Sequence, residues 1–307
     1  MNWDSEYVQR LVQTALEEDV GAGDATVLAT IPAKAIGKAR ILAREDVVCA
    51  GLPMAERVFH ALDPEMRLEK RVQEGALVLK GDVLLHLEGK ARAILTGERA
   101  ALNFLGRLCG IATLVHQFVK RIQGTRARIR DTRKTTPGLR LLEKYAVKTG
   151  GGTNHRIGLY DAILLKENHI ALAGGVRAAL DQANAYAALH AKPGALTAYE
   201  EAVPARATDT VLPIQIEVRD EHELRQALAA GAESVLLDNM SPAEAKQCVT
   251  VASNLQPKCI VEISGGITLE NVRAYAETGA DFLSSGSLTH SAPAANLSLL
   301  VDSIEDK

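Results

Sequence analysis

From residue 126 to residue 169 the chain gathers ten Lys/Arg residues against four acids, although its formal net charge is -3. Three basic clusters recur at the far ends of apolar runs: Arg133-Lys134, His155-Arg156 and Lys166. Fixed cations placed this way suit a small, multiply anionic ligand, because they stabilise carboxylates and phosphates that water otherwise solvates. Two lone carboxylates follow later apolar runs, Glu217 and Asp238. They suit a hydroxyl-rich or magnesium-bridged group. Two small-residue stretches, Ser264-Gly265-Gly266 and Ser284-Ser285-Gly286-Ser287, offer backbone N–H groups that can cradle a phosphate. Taken singly, each feature has an ordinary alternative. Arg133 and Lys134 could pair with Asp131 or Glu143, Glu217 and Asp238 could serve only as ion-pair partners, and Gly-Gly also makes plain turns. His290 alone reads as structural.

The elements that must carry these residues are legible from periodicity. The 307 residues, 47% hydrophobic and 24% charged, are ordinary for a soluble globular protein with a sizeable core. Near-neutral charge argues against a nucleic-acid or membrane-surface binder. No apolar run approaches the roughly 20 residues that span a bilayer, and residues 1–10 lack the apolar core of a signal peptide. Cys49, Cys109, Cys248 and Cys259 form no close pair and read as buried reduced thiols of a cytoplasmic protein.

Residues 5–18 predict a helix capped by Ser5, with Val8, Leu11, Val12, Ala15 and Leu16 on one stripe. Residues 17–26 read as an acidic turn. Short β-like runs at 38–44, 66–72, 76–79 and 83–89, around a helix at 53–62, predict an α+β domain on an antiparallel sheet. Residues 91–122 predict two helices parted near Gly110. Thereafter strands at 127–131, 162–166, 213–218, 234–237, 259–263 and 282–284 alternate with helices at 137–149, 176–190, 221–230, 242–253 and 269–278. That rhythm implies parallel βαβ units. The fold class expected is α/β: an open (incomplete) α/β barrel of about six parallel strands, preceded by an N-terminal α+β sandwich domain. The boundaries expected are 1–113 for the sandwich, with 288–307 packing on it, and 114–287 for the barrel. Residues 191–212, with prolines at 193 and 204 and another at 213, read as a surface insertion.

In such barrels ligands meet the carboxyl ends of the strands. Those ends carry Asp131-Thr132-Arg133-Lys134, Lys166-Glu167-Asn168-His169, Glu217, Asp238-Asn239 and the two small-residue loops.

The strings "TGERAALNFLGRLCGIAT", "DTRKTTPGLRLLEKYAVKTGGGTNHRIGL", "AILLKENHI", "LLDNM", "EISGGIT" and "YAETGADFLSSGSLTHS" resemble those of the quinolinate phosphoribosyltransferase (carboxylating nicotinate-nucleotide pyrophosphorylase) family. The likeness covers nearly the whole chain apart from 191–212. It implies condensation of quinolinate with phosphoribosyl pyrophosphate, with magnesium, to give nicotinate mononucleotide, pyrophosphate and CO2 in de novo NAD synthesis. It also implies a homodimer. By motif match, Arg133, His155, Arg156 and Lys166, with Thr132 beside them, would line the quinolinate pocket, and Arg99 would reach in from the neighbouring subunit. Lys134 would contact the pyrophosphate donor as a catalytic group, and Glu217 and Asp238 would hold ribose hydroxyls and magnesium. Ser264-Gly265-Gly266 and Ser285-Gly286-Ser287 would bind the 5′-phosphate, with His290 nearby. The chain departs from the family pattern at Ile214-Gln215-Ile216-Glu217-Val218, where many relatives read "EVEVE", and at Asn296, where an aspartate is common. Two rivals stand beside this reading: a related phosphoribosyltransferase acting on another pyridine acid, and a non-catalytic anion-binding barrel. At least three cations besides Arg99 suit two carboxylates better than one, and a mere anion binder has no use for Glu217 and Asp238 together.

Overall fold

The computed structural model describes residues 1–190 and 212–305, so the insertion expected at 191–212 lies, but for Leu212, outside the described residues. The chain divides into two units, Met1–Leu114 joined by the segment from Ala292 onward, and Val115–Ser291.

The first unit runs α1 (Glu6–Val20), α2 (Ala25–Thr30), β1 (Ile36–Ala43), β2 (Val47–Val48), α3 (Leu52–Leu62), β3 (Arg67–Lys70), β4 (Leu77–Val78), β5 (Val83–Lys90) and α4 (Ala91–Arg121), whose last turns from Val115 belong to the second unit. α1 buries Val8 and Val12, one turn apart. Ser5 stands at its N-cap, but the hydroxyl donates to the Asn2 carbonyl (2.8 Å) and caps no helix amide. α2 occupies part of what reads as a turn, because the Asp24 carboxylate accepts the Val27 N–H (3.0 Å) and supplies the cap.

One continuous helix, α4, replaces the two expected. Gly110 is a site of close approach and not a break: a Cβ there would lie 1.9 Å from the Pro293 carbonyl oxygen, and Ala295 N–H donates to the Gly106 carbonyl at 2.8 Å. By length and composition α4 could cross a membrane, which corrects the expectation that no run qualifies. Its apolar residues are used otherwise: Ala101, Leu105, Leu108, Cys109, Ile111 and Ala112 are buried in the protein. The four cysteines are free and buried.

The second unit continues with β6 (Arg128–Arg130), α5 (Arg140–Thr149), β7 (Ile163–Leu165), α6 (Glu167–Ala173), α7 (Val176–Leu189), β8 (Ile214–Val218), α8 (Glu221–Ala229), β9 (Ser234–Asp238), α9 (Pro242–Leu255), β10 (Ile260–Ser264), α10 (Val272–Ala276), β11 (Phe282–Ser284) and α11 (Ser287–His290); β12 (Leu297–Glu305) follows in the first unit. α6, α11 and β12 were not expected from the sequence. β12 joins an antiparallel sheet of order β12-β1-β5-β3, with Ile36 opposite Glu305 at one end and Ala43 opposite Leu297 at the other.

The barrel sheet has the order β6-β11-β10-β9-β8-β7, and every pairing is parallel. The first two strands of this sheet in chain order, β6 and β7, therefore stand at opposite edges, and the barrel is open between them. An isolated parallel bridge from Arg130 to Thr153 lays the "GGGTN" loop along the free edge of β6. Side chains alternate along each strand. Ile216, Val218, Val235, Leu237, Val261 and Ile263 are buried, each contributing about 1.5–3 kcal/mol relative to exposure. Gln215 and Glu217, Leu236 and Asp238, Glu262 and Ser264 occupy the alternate positions, and five of these six line the cavity at the strand ends.

Candidate active site

That cavity, of about 570 Å³, opens at the carboxyl ends of the barrel strands. Thr132, Arg133 and Lys134 enter it from the loop after β6, His155 and Arg156 from the loop after α5, and Lys166 from the end of β7. Glu217 and Asp238 line it from β8 and β9. Ser264, Gly265 and Gly266 close it after β10, and Ser285, Gly286, Ser287 and His290 after β11. Every candidate of the second unit is thus brought to one wall or another of a single cavity. Arg99 is exposed on α4 and is not among the lining residues.

The basic wall is built on buried anchors. Asp131 directly follows β6, a position that suggests a ligand group, but it is buried beneath the loop it holds. Its carboxylate accepts Lys144 Nζ (2.5 Å) and the His155 N–H (2.8 Å). Burial pushes the Asp131 carboxyl up to about 6 and the Lys144 ammonium down. Asp161 fixes the next turn by accepting the N–H groups of Ile157 (2.6 Å) and Gly158 (2.8 Å). Arg156, held by its Nη1 on the Ala162 carbonyl (3.0 Å), then faces the cavity beside Arg133. Burial lowers the Arg156 pKa, and the like charge of Arg133 lowers it further, with Asp161 opposing. The Nε atoms of both arginines are buried and meet no acceptor. Two mutually repelling guanidiniums with unsatisfied donors describe a site shaped for an anion.

Other members of the strand-end sets have local duties. Glu167 pairs with Arg219 (2.8 Å), and His169 Nδ1 accepts the Lys166 N–H (3.0 Å) at the start of α6. Lys166 Nζ reaches Glu217 Oε2 (2.9 Å), so one cation of the pocket is tied to one of its acids. Asn239 takes a left-handed φ of 56° and donates its amide to Asp238 Oδ2 (2.8 Å).

The opposite wall is made of small residues for steric reasons. Gly265 has φ +97°, and a Cβ would lie 2.1 Å from Asn239 Oδ1. Asn271 clamps the loop, donating to the Gly266 carbonyl (2.9 Å) and accepting the Thr268 N–H (2.8 Å). Ser285 Oγ donates to the Ile267 carbonyl (2.9 Å), tying the two small-residue loops together. A Cβ on Gly286 would lie 2.8 Å from Lys134 Cδ, so this glycine leaves room for the lysine stem. Such loops can present backbone N–H groups to a phosphate.

Sequence reasoning missed the floor. Arg130 and Glu262 form a wholly buried ion pair (2.7 Å), and the Arg130 guanidinium sits 3.3 Å from the centre of the Phe282 ring. Glu262 Oε2 also accepts Gln215 Nε2 (3.0 Å), and Gln215 Oε1 meets His155 Nε2 (3.0 Å). The available signal was a polar residue within each strand: Arg130 closes β6, Gln215 is the second residue of β8 and Glu262 the middle residue of β10.

Among the described residues no group of three or more His, Cys, Asp or Glu could hold a metal ion. Glu217 and Asp238 nevertheless share the cavity. Two carboxylates fit a magnesium ion that takes its remaining oxygens from water and a phosphate-bearing substrate.

Family models for the quinolinate phosphoribosyl transferase C-terminal domain match residues 111–193 and 194–300, and the N-terminal domain model matches residues 24–109. The chain is 40% identical over 285 residues to the nicotinate-nucleotide pyrophosphorylase [carboxylating] of Mycobacterium leprae, covering 91% of this chain and 92% of that one. It is 37% identical over 293 residues to the probable enzyme of that name from Bacillus subtilis, with 95% and 92% covered. The crystal structure of NadC from Streptococcus pyogenes superposes with a TM-score of 0.85 at 36% identity, over 97% of this chain and 96% of that one. The nicotinate-nucleotide pyrophosphorylase of Francisella tularensis superposes at 0.83 and 36%, with the same coverage. With its domain models matched from residue 24 to residue 300, the chain belongs to the quinolinate phosphoribosyltransferase family.

Proposed function

We propose that this protein transfers the phosphoribosyl group of phosphoribosyl pyrophosphate to quinolinate with loss of CO2, giving nicotinate mononucleotide and pyrophosphate for NAD synthesis. The observation that carries the reading is the basic wall: Arg133 and Arg156 repel each other and hold donors without acceptors in a cavity whose far wall is small-residue loops. A pyridine dicarboxylate supplies the missing acceptors on one side, and a phosphorylated sugar occupies the other.

In this reading the arginines and Lys166 grip the two carboxylates and aim the pyridine nitrogen at C1′ of the ribose, so positioning supplies much of the rate. The nitrogen lone pair forms the new N–C1′ bond as the C1′–O bond to pyrophosphate breaks. Positive charge that develops on the ribose is stabilised by Glu217 and Asp238 nearby. Lys134 balances charge on the departing pyrophosphate. The positive charge on the quaternary nitrogen then stabilises the electron pair left on C2 when the 2-carboxylate departs as CO2, and a proton adds to C2 in its place. Glu217 and Asp238 would hold magnesium, which when bound to the pyrophosphate neutralises its charge as it leaves. Ser264-Gly265-Gly266 and Ser285-Gly286-Ser287 would hold the 5′-phosphate, with His290 beside them and Thr132 at the quinolinate end.

The same proposal includes a cytoplasmic homodimer in which Arg99 of one chain completes the cavity of the other. Mixing Arg99→Ala chains with Arg133→Ala chains should restore part of the lost activity, because one site of the mixed dimer regains both arginines. No recovery after confirmed subunit exchange would remove the shared site. For the reaction, labelled CO2 should appear one-for-one with nicotinate mononucleotide when quinolinate, phosphoribosyl pyrophosphate and magnesium are supplied. Turnover of nicotinate but not quinolinate would favour the enzyme of another pyridine acid, and binding without turnover would favour an anion-binding barrel.

A further inference from the structure

We infer that Gln215 and Glu262 are positioning residues of the pyridine-carboxylate pocket, which hold His155 in one orientation as the neutral tautomer protonated on Nε2. The inference deepens the proposed function and rests on it for the identity of the ligand.

The hydrogen-bond directions can be followed from one end to the other. The Arg156 backbone N–H donates to His155 Nδ1 (2.8 Å), so that nitrogen carries a lone pair. Nε2 must then carry the hydrogen, and it donates to Gln215 Oε1 (3.0 Å). The Gln215 amide is turned by its other end, where Nε2 donates to Glu262 Oε2 (3.0 Å). A carboxylate can only accept, and Arg130 Nη1 donates to the same oxygen (2.7 Å), which keeps Glu262 ionised. Carboxylate direction therefore sets amide direction, and amide direction sets the tautomer.

A second proton on His155 would have to sit on Nδ1, facing a backbone donor 2.8 Å away. That geometry disfavours the imidazolium by itself. The surrounding charges agree. Burial lowers the His155 pKa most, Glu262 on β10 opposes, and Arg130 on β6 and Lys144 on α5 lower it further. Glu262 Oε1 lies 3.7 Å from His155 Nε2, too far for a full hydrogen bond. With both ring nitrogens engaged, His155 offers the cavity its face and carbon-bound hydrogens: a flat wall for an aromatic ring. The positive charge that meets the ligand comes from arginine and lysine.

Selective 15N labelling of the histidines tests this in the ligand-free wild-type protein. At pH 7.5 His155 should show one ring nitrogen with the shift of an unprotonated acceptor at δ1 and one protonated at ε2. A δ1-protonated or rapidly averaging ring overturns the inference without any variant. In Gln215→Met the ring loses its acceptor. The two nitrogen signals should move toward averaging, and KM for quinolinate should rise roughly tenfold, with KM for phosphoribosyl pyrophosphate and the unfolding midpoint changed much less. Unchanged ring shifts and unchanged KM in that variant would also overturn it. A protein that turns over no quinolinate yet keeps the ε2 tautomer would sink the proposed function and leave the positioning network standing.

Discussion

Gln215 and Glu217 lie two residues apart on β8, as do Glu262 and Ser264 on β10, and the two levels they define inside the barrel treat charge in opposite ways. At the lower level Arg130 and Glu262 are both wholly buried and share one short ion pair, with Gln215 completing the network. At the upper level the Lys166 side chain is 50% exposed against 13% for its partner Glu217, and the like charges of Arg133 and Arg156 repel each other, each with a buried Nε that meets no acceptor. A buried charge is tolerated when its partner is supplied by the fold. A charge left without one marks the place where a partner is to come from solution. The difference separates groups that hold the barrel from groups that hold a ligand, although on β8 and β10 the two levels are only two residues apart.

Removing one member of the lower pair should give the largest effect. Arg130→Met leaves Glu262 buried and unpaired, and unfolding in urea should report a loss of about 3–5 kcal/mol. Adding Glu262→Leu to that variant should recover much of the loss, since no lone charge remains. Equal instability of the single and double variants would show that Arg130 matters for packing over Phe282 more than for charge.

Arg156→Ala is the matching test above. Because Arg133 is relieved of its neighbour, stability should hold or rise slightly, while kcat/KM for quinolinate falls about 100-fold, or ~3 kcal/mol for the lost charge-assisted contacts. A loss of stability comparable to Arg130→Met would erase the distinction between the levels.

Gly265→Ala probes the opposite wall. Its φ of +97° and the 2.1 Å approach to Asn239 Oδ1 must shift the loop if a Cβ is present. The expected cost is about 1–2 kcal/mol, which should appear as a roughly tenfold rise in KM for phosphoribosyl pyrophosphate, with quinolinate affinity spared. An equal rise for both substrates would mean that the two walls do not bind separate ligands.

The upper level was legible in the sequence and the lower one was not, for a definite reason. Arg133, Lys166, Glu217 and Asp238 follow apolar runs at strand ends, where a parallel barrel exposes its side chains. Arg130 closes β6, and Gln215 and Glu262 sit inside β8 and β10, where a polar residue reads as ordinary alternation toward water. Only the folded, curved sheet shows that alternation points inward. The βα rhythm was legible because apolar runs and turn residues are local signals. β12 was not, because its pairing with β1 joins Glu305 to Ile36 across most of the chain. α6 escaped because none of its residues is buried, so it has no apolar stripe to find. Gly110 of α4 misled because a close approach to Pro293 looks, in one dimension, like a break. Arg99 was singled out by motif alone, and its exposure on α4 gives no geometric support within one chain.

The smallest expected effect lies in acid stability, and it tests the join between the two levels. The folded protein holds His155 neutral, with its pKa below the ordinary 6.5, chiefly through burial. Below that ordinary value the unfolded chain binds a proton that the folded one refuses, so the His155 contribution to stability is lost as pH falls through the histidine range. Asp131 acts in the opposite sense. Its pKa, raised by burial to about 6, lets the folded state take up a proton before the unfolded state does, so stability from this group grows on acidification from above 6 toward 4. The two signs partly cancel in the total, and a single profile decides nothing. The difference between wild type and His155→Asn isolates the histidine. From pH 7 to pH 5 the wild-type unfolding free energy should decline more steeply than that of the variant, with the gap widening below 6.5. Parallel profiles would mean that His155 is protonated as readily in the fold as in the open chain, and that the network beneath it does not reach the wall above.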